Sequence, residues 1–118
     1  MRYLMFVRMA PDAGQAPPAL FEAMGKEIEA MFADGTMLDA GGLGGPDQTI
    51  ELRLAGGEIT NVDGPYAEAK EVVGGYSMVE FRSEAEAVEN ARRVLELHKE
   101  HWPGWEGAIE IHPVFRPE

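Results

Sequence analysis

The stretch MRYLMFVRM, residues 1–9, is apolar on both sides of a β-strand. Its odd-numbered and its even-numbered positions both carry large apolar side chains: Tyr3, Met5 and Val7 on one side, and Leu4 and Phe6 on the other. Successive side chains of a strand point to opposite faces of the sheet, so both faces of this strand are expected to be covered. The stretch therefore predicts a central strand of a sheet.

Two helices are predicted in the sequence that follows this strand. The first begins at Pro17 and Pro18, continues with apolar residues at helical spacing and stops at Gly35. The second begins at a capping box, in which Ser83 is followed three positions later by Glu86. It ends before Pro103.

The remaining strand patterns are short. They cover residues 36–39, 50–54, 58–62, 76–81 and 108–115, the last of which extends to Phe115. The pair Gly56-Gly57 separates two of them and indicates a hairpin. The order of elements predicts a single α+β domain over residues 1–118, a ferredoxin-like antiparallel sheet with two helices on one face.

Composition restricts the partners and the location. Ten Lys plus Arg against 21 Asp plus Glu give a net charge of −11, which repels phosphate backbones and anionic lipids. Neither a nucleic acid nor a membrane is therefore an expected partner. The chain has no cysteine, which excludes disulfides, thiolate nucleophiles and sulfur-ligated zinc. Without cysteine or a signal sequence, a cytoplasmic protein is expected.

The turn after the hairpin holds the main candidate site residues. Asp63, which precedes Gly-Pro, could act as a general base. The alternative is that its carboxylate braces the turn. Tyr66 could donate a hydrogen bond to a ligand, and Lys70 could bind an anionic group. The alternatives are a hydroxyl at a rim and an exposed loop charge.

The histidines favour structural roles. His98 and His101 share one helical face, but a third metal ligand is missing from the pattern, and the dipole of the helix end favours them there. His112 lies beside Glu110 on the last strand and is interpreted as a polar position rather than a base. The stretch GGLGGP, residues 41–46, lacks the spacing of a phosphate-binding loop. No metal and no other cofactor is predicted.

The stretch DGPYAEAKEVVGGY, residues 63–76, resembles the signature of the DGPF-domain branch of the YCII-related proteins, with Tyr66 where the name-giving motif has Phe. The opening MRYLMFVR, the GGLGGP stretch, the hairpin and the closing WPGWEGAIEIHPVF look like other parts of that family. The resemblance implies a dimeric α/β barrel, in which two sheets face each other and enclose clefts. It also implies a proposed His and Asp pair in the cleft, of which only Asp63 is matched here.

A homodimer is also expected, because one apolar face of the predicted sheet needs a covering layer. Two helices cover one face of the sheet, whereas the central strands are apolar on both faces, and a second copy offers an identical face. In the expected cleft, a cofactor-free lyase or isomerase would use Asp63 to move a proton, with Tyr66 or Lys70 orienting a small molecule. The alternative is a ligand-binding or regulatory module that acts with a protein partner such as a sigma factor, since some genes of the family lie near sigma factors.

Overall fold

A computed structural model describes residues 1–63 and 71–117, and of residues 62 and 63 it describes the backbone alone. In chain order the described elements are β1 (Arg2–Met9), α1 (Pro18–Asp34), β2 (Met37–Gly42), β3 (Ile50–Ala55), β4 (Glu58–Asp63), β5 (Val72–Glu80), α2 (Glu84–His101) and β6 (Gly107–Pro113). A short 3₁₀ turn, Pro46–Gln48, precedes β3. No helix of the described part of the chain is long and apolar enough to cross a membrane.

Four of these strands form one antiparallel sheet in the order β2-β5-β1-β6. β1 and β5 are the central strands, as predicted from their apolar residues on both parities. The sheet and the two described helices form the ferredoxin-like α+β fold that the sequence predicts.

Local signals account for the helix ends. Gly35 follows α1 in the left-handed conformation, with φ of 85°, and its N–H donates to the carbonyl of Phe32. At the start of α2, the hydroxyl of Ser83 accepts from the backbone N–H of Glu86 at 3.3 Å. The carboxylate of Glu86 in turn accepts from the N–H of Arg82 at 3.0 Å. The predicted capping interaction is therefore present, and α2 ends two residues before Pro103.

Both helices pack on one face of the sheet, which we call the helix face. Its buried core joins the central strands to the helices through Tyr3, Met5, Val79, Met31, Met37, Ala87 and Ala91. The two alanines of α2 are small, so that this helix can approach the strands closely. This layer is the hydrophobic core of the fold.

The opposite side of the sheet, which we call the open face, is also apolar at its centre. Leu4 and Phe6 alternate with the buried residues of β1 and are only half-buried. Leu4 pairs in register with Met78 of β5, which is half-buried as well. Since both helices pack on the helix face, the described residues leave this apolar surface without a covering layer.

The hairpin of β3 and β4 forms a two-stranded sheet of its own. Gly56 and Gly57 make its turn with φ of 59° and 79°, which confirms the predicted glycine turn. Its aliphatic side chains Ile50, Leu52, Leu54 and Ile59 are 69 to 72% exposed. A two-stranded hairpin is marginally stable by itself in water, so this arm needs a packing partner.

Two predicted boundaries were wrong. The strand pattern of residues 36–39 stops too early, because Gly41 and Gly42 also belong to β2 and pair with Tyr76 and Gly75. A Cβ at position 41 would lie 2.9 Å from the ring of Tyr76, so the close approach requires glycine there.

The last strand ends at Pro113 instead of continuing to Phe115. Pro113 pairs with Tyr3, and β1 begins at Arg2, so the neighbouring strand offers almost no further backbone to pair with. The side chain of Phe115 lies beyond the strand and is 86% exposed.

Candidate functional site

A network of charged side chains lies on the open face, with Arg8 at its centre. The guanidinium of Arg8 is 2.9 Å from a carboxylate oxygen of Glu110 on β6 and 3.5 Å from one of Glu71, just before β5. Residues opposite each other in neighbouring strands share a face. Phe6 lies opposite Glu110, so the network borders the apolar centre of the open face.

His112 extends the network along β6. Its Nε2 lies 3.0 Å from Oε1 of Glu110. A carboxylate oxygen only accepts, so Nε2 carries the hydrogen and donates it, which leaves Nδ1 of a neutral ring as an acceptor. The ring also meets the ring of Phe6 edge to face, with 5.6 Å between centroids. A histidine oriented by a carboxylate in this way is suited to accept a proton from a ligand.

The electrostatics of the network favour the ionised form of Glu110. The hydrogen bond from His112 is the main cause, and the charge of Arg8 adds to it, so the pKa of Glu110 lies below its ordinary value of 4.5. Hydrogen bonds and opposite charges next to a carboxylate stabilise its charged form. Glu110 is therefore an anion at neutral pH.

We expect the contribution of this carboxylate to stability to disappear in acid. The pKa of Glu110 is lower in the folded chain than its ordinary value of 4.5, so ionised Glu110 stabilises the fold above that value. The contribution is lost as the pH falls through the lowered pKa. The thermal midpoints of the parent and Glu110→Gln should therefore differ at about pH 6 and converge at about pH 3.

Glu58→Gln on the hairpin is the control, because the described residues give Glu58 no ion-pair partner. Its difference from the parent should stay constant over the same pH range. A difference for Glu110→Gln that does not change with pH would contradict the assigned network. The effect is expected to be small, because the members of the network are partly exposed to solvent.

A second polar pair lies on the open face. The hydroxyl of Tyr76 donates to Oδ2 of Asp39 at 2.8 Å. This hydrogen bond, with the charge of Asp39, raises the pKa of Tyr76 above its ordinary value of 10.0. Tyr76 lies opposite Phe6 on the neighbouring strand. The apolar centre is thus bordered by the network on β6 and by this pair on β5 and β2.

The predicted site residues are placed as follows. Asp63 is the last residue of β4, and its backbone pairs with that of Ile50. The side chain of Asp63, together with Tyr66 and Lys70, lies outside the described residues. The roles expected for these residues therefore stay predictions, and the described structure joins none of them to the network.

The network itself was not predicted from the sequence. His112 was expected to be a polar position, and it is exposed, but its contact with Glu110 gives it a defined orientation. Two features of the sequence could have indicated the network. Glu110 and His112 are two residues apart on one strand, so they share a face. Arg8 is a charge inside an otherwise apolar central strand.

The other histidines lie elsewhere. Nδ1 of His98 is 2.8 Å from the carbonyl of Val94, one turn back in α2, rather than near the final carbonyls of the helix. His101 is 3.8 Å from Glu100. Within residues 1–63 and 71–117, no group of three or more His, Asp or Glu side chains could hold a metal ion.

A comparison with models of known protein families identifies the family to which the chain is similar. The sequence model of the YCII-related domain family matches residues 1–115. This range contains every described strand and helix, from β1 to β6, together with the charged network. A search among curated proteins gave no match to the chain.

Proposed function

Because the chain belongs to the YCII-related domain family, we propose that two copies pair through their open faces and bind a small molecule in the cleft between them. The observation that carries the proposal is the network of Arg8, Glu110 and His112 beside an apolar surface that the helices do not cover. Apolar surface with a few convergent polar groups is the usual composition of a ligand site.

The pairing follows from the apolar centre of the open face. Leu4, Phe6 and Met78 form one continuous patch across β1 and β5. A second copy presents the same patch, and two-fold pairing covers both at once without leaving a further apolar surface. The two sheets would then form the walls of a cleft whose rim carries the polar groups of both copies.

The charges of the network indicate what kind of molecule fits. One guanidinium, that of Arg8, is shared between the carboxylates of Glu71 and Glu110. The positive charge is therefore already balanced, and the whole chain carries a net charge of −11. A neutral polar molecule that offers a hydrogen to Nδ1 of His112 fits this surface better than an anion does.

Proton transfer is the chemistry that this arrangement supports. His112 would take a proton from the ligand at Nδ1, and ionised Glu110 would stabilise the imidazolium that forms. Such a transfer starts a lyase or isomerase reaction that needs no cofactor: an isomerase returns the proton at another atom of the ligand, and a lyase breaks a bond to a leaving group that takes the electron pair. Asp63 remains a proposed second base, and Tyr66 and Lys70 remain proposed ligand contacts, from the segment that follows β4.

A thermal-shift screen of small polar molecules tests the proposal. A ligand that binds the native state raises the thermal midpoint by mass action. We expect at least one compound to do so, and we expect His112→Gln and Arg8→Gln to weaken its binding about tenfold or more, since the first removes the imidazole acceptor and the second removes the guanidinium that holds Glu110. His101→Gln, at the end of α2, is the matched histidine control and should keep the full response.

The outcomes separate the site residues. If the ligand raises the thermal midpoints of both His112→Gln and Arg8→Gln as much as that of the parent, the network is not part of the ligand site. Asp63→Asn belongs in the same series, because a weaker response there would place Asp63 in the site. An unchanged response combined with lower stability would instead identify Asp63 as a brace of the turn.

A further inference from the structure

A cavity of about 430 Å³ lies on the helix face, between α1 and the sheet. Most of its lining is aliphatic and comes from both layers: Met5, Leu20, Met24, Ile28, Met31 and Met37. The charged network and the proposed cleft are on the other side of the sheet. The cavity is therefore a separate feature of the fold.

Small residues of the sheet explain why this space exists. Where β2 and β5 run beneath α1, the residues that face the helix are Ala40 opposite Ser77 and Gly42 opposite Gly75. All four residues are small, so they fill little of the space beneath the helix. A Cβ at Gly42 would meet nothing closer than 3.9 Å, and its φ is not positive, so crowding and backbone conformation do not require glycine there.

One buried histidine lines the cavity. His98 of α2 lines the cavity and is only 6% exposed. The carbonyl of Val94 accepts from its Nδ1 at 2.8 Å, so the hydrogen of a neutral ring is on Nδ1 and Nε2 is an acceptor. The ring is further held by Trp105, with 4.5 Å between the ring centroids.

The Nε2 atom of His98 has no hydrogen-bond partner among the described residues. This atom is also accessible to solvent. Among the described residues, Nε1 of Trp105 is the only side-chain N or O atom that is fully buried and lacks a hydrogen-bond partner. Nε2 therefore keeps an accessible acceptor lone pair, to which a bound molecule can donate.

We propose that this cavity binds a small neutral molecule with an apolar body and one hydroxyl group, such as an alkylphenol, whose hydroxyl donates to Nε2 of His98. Its volume lies within the range of about 300 to 1,000 Å³ that is typical of small-molecule sites. Methionine side chains are flexible and can adapt to the shape of such a body.

Charge in the lining argues against an anion. Glu27 is the one Asp or Glu among the described lining residues, and it lies 3.8 Å from Arg93 of α2. The lining contains no Lys or Arg side chain among the described residues. A carboxylate or phosphate would therefore enter an apolar space without a cation to pair with.

A pair of probes isolates the hydroxyl group. 4-Propylphenol and propylbenzene share the same apolar body, and only the first can donate to His98. Titrations of the purified protein with each probe, measured by calorimetry, should show that 4-propylphenol binds about tenfold more tightly than propylbenzene. His98→Phe keeps an aromatic ring but loses the acceptor, so it should bind both probes equally. His101→Phe is the matched control and should keep the preference for the phenol.

A second variant tests the location. Gly42→Leu places a side chain in the cavity from a strand position with room for a Cβ, and it should weaken the binding of both probes at least tenfold. Circular dichroism confirms that each variant is folded. The proposal is overturned if neither probe binds the parent, if both bind it equally, or if binding is unchanged in Gly42→Leu.

Discussion

Replacing Phe6 by Asp is expected to convert the protein from a dimer into a monomer. Phe6 lies at the centre of the open face, opposite Tyr76 on β5 and Glu110 on β6. Two-fold pairing would bury this position from both copies, so the variant would place two carboxylates without partners in an apolar contact. Each uncompensated buried charge costs about 3–5 kcal/mol, which would weaken association by several orders of magnitude.

Light scattering after size exclusion measures the result directly. At micromolar concentration the parent should have twice the chain mass of 12.9 kDa, whereas Phe6→Asp should have the mass of one chain together with a reduced helical signal. Val88→Asp is the matched control, since Val88 is a 38% exposed residue of α2 on the other side of the sheet. It should remain dimeric. A Phe6→Asp variant that keeps twice the chain mass would contradict pairing through the open face.

Met5→Ala is expected to act on folding instead of association. Met5 is the neighbour of Phe6 in β1, but it points to the helix face, where it is 4% exposed and belongs to the buried core. Removing a buried methionine side chain costs about 2–5 kcal/mol. Met5 also borders the cavity, so part of its side chain already faces empty space. We therefore expect the loss of stability in Met5→Ala to lie near the lower end of this range.

Urea denaturation at a fixed protein concentration measures this loss. Met5→Leu keeps the volume and the apolar character, so it should cost less than about 1.5 kcal/mol. Protein that remains folded in Met5→Ala should keep the mass of the dimer. A loss below about 0.5 kcal/mol in Met5→Ala would mean that β1 does not bury this face against the helices.

The fold follows from patterns that are local in the sequence. Alternation identifies β1 as a central strand, and the capping residues Ser83 and Glu86 set the start of α2. Gly35 ends α1 because only a residue tolerant of positive φ suits that position. Each of these signals depends on neighbours within a few residues. The end of β6 at Pro113 depends instead on where β1 begins, which a local pattern does not contain.

The candidate site depends on register between distant segments. Arg8, Glu71 and Glu110 meet because β1 pairs with both β5 and β6, with an irregularity of the β5 pairing between Val7 and Arg8. A sequence pattern does not specify such an irregularity. The cavity likewise results from small residues that become opposite each other only in the sheet.

The pairing of two open faces is the central claim, and a dilution series of the parent protein tests it most directly. Light scattering and circular dichroism are followed together from high to low micromolar concentration. Because each chain would lose the cover of its open face, we expect the mass to fall from twice 12.9 kDa only together with the helical signal. A folded, stable monomer of 12.9 kDa at micromolar concentration would contradict the claim.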